Sequence, residues 1–323
     1  MERYLAPVYS WARRWSRFGS LGIVLILAVV RIFTSDINLS LQLIIALVAL
    51  LVGIPHGAID HLISIPAKPR TRFIGYIVIY VVIAILAGWF IATWNVLGFQ
   101  IVVVMSAIHF GFGDASYLNE QRDAEGRERN PFWIETVYAI PAGFLPVILP
   151  LTDHRTLSAL NRIHPSLDQW AGSNTHLIRM IVLTIALIAI FILAIYHQSS
   201  MAIDLVILAS LSIIAPPLIA FATYFGFWHA LRHTARLVPK LPKARTLSAD
   251  GRWGAAIAGA VIPGLYAIGG TLVVAAILMV KNPGKFSSSL LWSTLVIIWS
   301  LTVPHMMTTA GFDRRALGRK SSQ

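Results

Sequence analysis

The chain contains no cysteine. That absence alone excludes disulfide frameworks, thiolate metal sites and cysteine nucleophiles. Charge is scarce too: 12% of the residues are Asp, Glu, Lys or Arg against 57% hydrophobic, and the mean hydropathy is +0.72. A water-soluble domain cannot bury that much apolar surface, so the composition predicts an all-α, polytopic transmembrane helical bundle. Acidic residues are the scarcer charge, 14 against 26 Lys and Arg, for a net +12. In a membrane protein such an excess collects in cytoplasmic loops, so it reads as topology and not as nucleic-acid binding. No small-residue cleavage pattern follows Arg13, Arg14 and Arg17, which predicts a retained first span and not a removed signal peptide. Internal repeats and low-complexity tracts are also absent.

What is present is a series of apolar runs, at about 20–34, 39–63, 73–94, 97–113, 132–150, 177–196, 202–236, 254–280 and 287–311, against the roughly 20 residues that cross a bilayer. The expected organisation is a basic cytoplasmic leader over 1–19, one transmembrane domain over 20–311 and a basic cytoplasmic tail over 312–323. Lys68, Arg70 and Arg72, the mixed-charge loop from Asp114 to Asn130, and the basic stretch with Arg236, Lys240, Lys243, Arg245 and Arg252 all belong inside. Parity then requires either that 132–150 is re-entrant or that 202–236 is split at Ala215-Pro216-Pro217. The expectation is about eight spans in the inner (cell) membrane with both termini cytoplasmic.

The stretch Tyr224-Phe-Gly-Phe-Trp-His-Ala-Leu-Arg-His233 carries His229 and His233 four residues apart. On a helix that spacing stacks both imidazoles on one face, with Cβ atoms about 5–6 Å apart, so two ring nitrogens can reach one ion. Neutral imidazole suits Zn, Cu, Fe and Ni and holds a metal in a low-dielectric bundle without importing carboxylate charge.

Other histidines lie in spans. Gly53-Ile-Pro-His-Gly-Ala-Ile-Asp-His-Leu62 puts His56, Asp60 and His61 together. An Asp in a span costs about 2.5–3.5 kcal/mol on insertion scales, and Asp60 is placed to accept the second ring N–H of a bound His56; the plainer alternative is a helix end meeting the headgroups. Ser106-Ala-Ile-His-Phe-Gly-Phe-Gly-Asp114 places His109 at membrane depth, where a lone histidine is more often a core residue than a ligand. In Ser300-Leu-Thr-Val-Pro-His-Met306, His305 follows a helix-breaking Pro304, and packing or ligation account for it equally. His154, His164, His176 and His197 lie in polar connections and read as solvated. His56, His61, His109, His229, His233 and His305 all fall towards the cytoplasmic side of four separate spans, which points to a polyhistidine metal centre.

Four motifs also resemble those of a known family: Gly-x-Pro-His-Gly-x-x-Asp-His at 53–61, His-Phe-Gly-x-x-Asp at 109–114, Tyr-Phe-x-x-Trp-His-x-x-Arg-His at 224–233 and Thr-x-Pro-His-Met at 302–306. They are similar to the signatures of the Brp/Blh family of integral-membrane β-carotene 15,15′-dioxygenases, over about residues 40–310. The resemblance implies a ferrous iron held by His56, His109, His229 and His233. It implies β-carotene and O₂ as substrates, and retinal as the product, available for hand-over to a rhodopsin. Asp60, His61, Asp114 and His305 then become candidates for orienting the ligands. Phe110, Tyr224 and Trp228, which flank them, become candidates for contact with substrate in an apolar tunnel.

Other functions make different demands. A haem b carrier uses histidine pairs from facing helices, typically at two depths. A membrane desaturase or hydroxylase usually shows adjacent His-His pairs, and this sequence has none. A rhodopsin needs a Schiff-base lysine in a span, whereas Lys68, Lys240, Lys243, Lys281, Lys285 and Lys320 all lie outside the apolar runs. A histidine-lined metal or proton transporter would move its ion without consuming oxygen.

Overall fold

The structure, a computed structural model, describes residues 5–33, 37–57, 59, 70–266, 268–270, 273 and 288–318. Some side chains within 39–57, that of His56 among them, and those of 288–291 and 312–318 lie outside the described set. Asp60 and His61 lie outside it altogether.

The described residues form helices and no strand. In chain order these are α1 (Ala6–Phe33), α2 (Leu39–Gly57), α3 (Arg70–Thr93), α4 (Asn95–Ala124), α5 (Phe132–Leu151), α6 (His154–Ile163), α7 (Thr175–Ile195), α8 (Ser199–Ile214), α9 (Pro217–Ala222), a π-helical turn (Thr223–His229), α10 (Ala230–Leu237), α11 (Pro242–Ala249), α12 (Trp253–Val261) and α13 (Ser288–Gly318). Among the described residues six stretches are long and apolar enough to cross a membrane: Ala6–Phe33, Arg70–Thr93, Asn95–Ala124, Phe132–Leu151, Thr175–Ile195 and Trp253–Gly270. Two further apolar helices, α2 and α13, are described only in part.

Of the two alternatives for the middle of the chain, the break at Ala215-Pro216-Pro217 is present. Ala215 and Pro216 are both extended, with ψ of 147° and 144°, and Pro217 opens the next helix at a position where its missing N–H costs nothing. The apolar run over 202–236 is therefore two helical segments, while 132–150 is one continuous helix.

α4 and α5 form the closest helix pair. A Cβ on Gly111 would stand 1.9 Å from the Ala139 carbonyl oxygen, and one on Gly143 would stand 1.8 Å from that of Ala107. Small residues on both helices let the backbones touch.

Three expectations shift at the helix ends. The helix predicted to begin near residue 20 begins at Ala6, and Val8, Tyr9, Ala12 and Ser16 are buried in the bundle. The loop expected from Asp114 is helical to Ala124, with Asp114, Asn119, Glu120 and Gln121 buried. Arg236, assigned to a cytoplasmic loop, is buried as well. The reason is pairing: Arg236 donates to both carboxylate oxygens of Glu120 at 2.9 and 3.1 Å, and Tyr9 Oη donates to the same group at 3.2 Å. Charge that is neutralised and hydrogen-bonded can continue a buried helix where unpaired charge would end it.

Candidate metal centre

Four described histidines meet in a closed ring. Along the π-turn into α10, His229 and His233 keep their four-residue spacing, and their ring centroids lie 5.7 Å apart. His109 of α4 stands 5.7 Å from His229, His305 of α13 stands 5.3 Å from His109, and the His305–His233 separation of 6.0 Å closes the circuit. His229, His233 and His305 are buried and His109 is half-buried.

His56 is carried on α2 next to Gly57, where a Cβ would lie 3.3 Å from Cε1 and Nδ1 of the His305 ring. The backbone that bears His56 thus abuts the ring of imidazoles.

The arrangement can be tested against a metal ion. Imidazoles bound at about 2.1 Å to one tetrahedral ion hold their ring centroids about 5 Å apart. The observed edges of 5.3–6.0 Å are slightly wider. Consistent with that, no three His, Asp or Glu groups among the described residues converge at ligand distance. A closure of about 1 Å or less fits the four neutral donors to one divalent transition ion.

Asp114 organises the side chains beneath. Its Oδ2 accepts from Trp228 Nε1 at 2.9 Å and from Tyr224 Oη at 3.3 Å, and its Oδ1 lies 3.7 Å from His229 Nδ1. The π-turn, with its wider register, brings Tyr224 and Trp228 to one carboxylate and sends His229 to the ring. A carboxylate near Nδ1 favours a proton on that nitrogen and leaves the Nε2 lone pair able to coordinate a metal. Tyr224 and Trp228 are fully buried with their polar ends on Asp114, whereas Phe110 packs its ring 4.5 Å from that of His229. Phe225 lies 5.9 Å from Phe110 and so close to Gly53 that a Cβ there would meet its ring at 2.0 Å.

Sequence patterning missed a second buried network. Asp204 of α8 accepts from Arg232 Nη1 at 3.0 Å and from Arg17 Nε at 2.5 Å, while Arg232 Nε donates to Ser16 Oγ at 3.0 Å. The Arg232 guanidinium lies 3.7 Å above the Trp228 ring. The available signal was an acid within an apolar run, the same signal that singled out Asp60. Of the remaining histidines, His154 and His176 are exposed as expected. His164 is instead half-buried, 3.0 Å from the Asn95 side-chain amide and 4.8 Å from the Trp292 ring.

A family model described as beta-carotene 15,15′-dioxygenase matches residues 47–313. A Halobacterium salinarum protein described as probable beta-carotene 15,15′-dioxygenase Blh is 26% identical over 296 residues, 82% of each chain. A beta-carotene 15,15′-dioxygenase from uncultured marine bacterium 66A03 is 27% identical over 195 residues, 56% of this chain and 64% of that one. No solved structure matches the chain. The family match runs through every histidine-bearing segment from α2 to α13, and the chain belongs to the beta-carotene 15,15′-dioxygenase family.

Proposed function

We propose that this chain is a membrane-embedded non-haem Fe(II) enzyme that adds both atoms of O₂ across the central 15,15′ double bond of β-carotene and releases two molecules of retinal. His56, His109, His229 and His233 hold the iron, whose chemistry when bound is the activation of O₂ beside the polyene. The observation that carries this reading is the meeting of His109, His229 and His233, with neighbouring centroids 5.7 Å apart, next to the backbone that bears His56, inside a chain of this family. The His229 ring neighbours both of the others, a clustering that suits one ion better than the two faces of a porphyrin.

The remaining residues bind, orient and exclude water. Asp114 turns His229 and fixes Tyr224 and Trp228. Phe110 and Phe225 give the histidine cluster an apolar flank, against which a polyene can be set with one double bond at the metal. The membrane supplies the substrate from the side, since a carotenoid dissolves in the hydrocarbon core. The same reading keeps both termini cytoplasmic in the inner membrane, with retinal passed on to a rhodopsin.

Cells that accumulate β-carotene provide the test. Expression of the chain under aerated, iron-replete conditions is expected to bleach the orange pigment, with retinal appearing on chromatography of the extract. Persistence of β-carotene with the protein present in the membrane would remove that substrate.

A further inference from the structure

We propose that His305 is itself a ligand of the metal, completing the set with the two helices that carry His109 and His233; this rests on the reading of the ring as an iron centre. The geometry gives His305 the same standing as the three described residues already assigned. Its 5.3 Å separation from His109 is the shortest edge of the circuit, shorter than the 5.7 Å between His229 and His233, whose spacing first marked them as a ligand pair. Without His305 the circuit is an open chain running from His109 through His229 to His233. With it, each of the four imidazoles in the circuit has two imidazole neighbours.

The helix around His305 is built to present it. Pro304 removes one helical N–H and crowds the preceding turn. The hydroxyl of Thr308 donates to the Pro304 carbonyl at 2.9 Å, and that of Thr309 to the His305 carbonyl at 2.6 Å, so both threonines bond back onto the Pro-His step that carries the imidazole. α2 repeats the device, with Pro55 directly before His56. Gly57 then leaves its side-chain space to the His305 ring. Two Pro-His steps from opposite ends of the chain therefore meet at one place. A carboxylate-free, five-imidazole donor set suits a divalent first-row ion, and one of octahedral preference would keep a single position for an exogenous ligand.

The test uses the full chain, purified in detergent and loaded anaerobically with Fe(II) or, for its visible spectrum, Co(II). Wild type is expected to bind one ion and His229→Ala none. His305→Ala is expected to lose affinity by more than the roughly 10–100-fold typical of an outer partner and to shift the Co(II) bands. Tyr76→Phe, which removes the hydrogen bond to Thr308 on the same helix without touching the ring, should match wild type. If His305→Ala binds Co(II) with wild-type affinity and spectrum while His229→Ala does not, His305 is no ligand and the centre stands without it. If wild type binds neither ion, the iron reading itself fails. Should His305→Ala not remain monodisperse, His305→Gln is measured in its place and judged by the same comparison.

Discussion

At the scale of single residues, the histidine centre depends on groups that never touch the reacting atoms. Asp114 receives two hydrogen bonds and stands 3.7 Å from His229 Nδ1, so Asp114→Asn should leave the helices intact while loosening the metal. The expected loss of iron affinity is on the order of 10–100-fold, read by metal titration of the purified protein. An unchanged affinity would make Asp114 a packing residue. Arg232 presents the opposite case. Removing its guanidinium as Arg232→Met leaves Asp204 buried with Arg17 as its remaining ion-pair partner, and the expected cost is about 1–3 kcal/mol of stability, read as a lower melting temperature in detergent. His229 and His233 were legible in the sequence because their pairing is set by helical spacing alone. That His109 and His305 share their depth followed from the order of spans and loops, but which ring stands next to which did not, because neither distance along the chain nor apolar context says which spans are neighbours. Asp204 was passed over because a single acid barely lowers the hydropathy of a long run.

At the scale of elements, the decisive contacts are backbone on backbone. Gly111→Ala or Gly143→Ala must push α4 and α5 apart, since each new methyl would fall inside a carbonyl oxygen of the other helix. A penalty of about 1–3 kcal/mol is expected for either, measured as thermal stability. Gly22→Ala, which meets nothing within 4 Å, serves as the neutral comparison. If all three variants melt together, the helices are not held by that seam. Helix class and most helix positions followed from the apolar runs, and so did the Pro216-Pro217 break as one of two choices. The ends did not follow, because hydropathy counts Asp114, Glu120 and Arg236 as signals of water. Their cost disappears only when the partner, a hundred or more residues away, is in place.

At the scale of the whole molecule, α1 is a working part of the bundle. Arg17 reaches Asp204 and Ser200, Tyr9 reaches Glu120, and Ser16 receives Arg232, so the helix is tied to both α4 and α8 and to the arginine beside the histidines. Removal of residues 1–33 should therefore lower the yield of monodisperse protein and the metal content together. A fully loaded, equally stable truncation would assign α1 to some other task. The tie also has a consequence for synthesis. Arg17 leaves the ribosome 187 residues ahead of Asp204, which at elongation rates of about 5–20 residues per second is roughly 10–40 s. During that interval the basic end of α1 has no acid from α8 to meet. α1 is thus locked by a helix made much later, and a nascent chain stalled before residue 204 would hold α1 still unfastened.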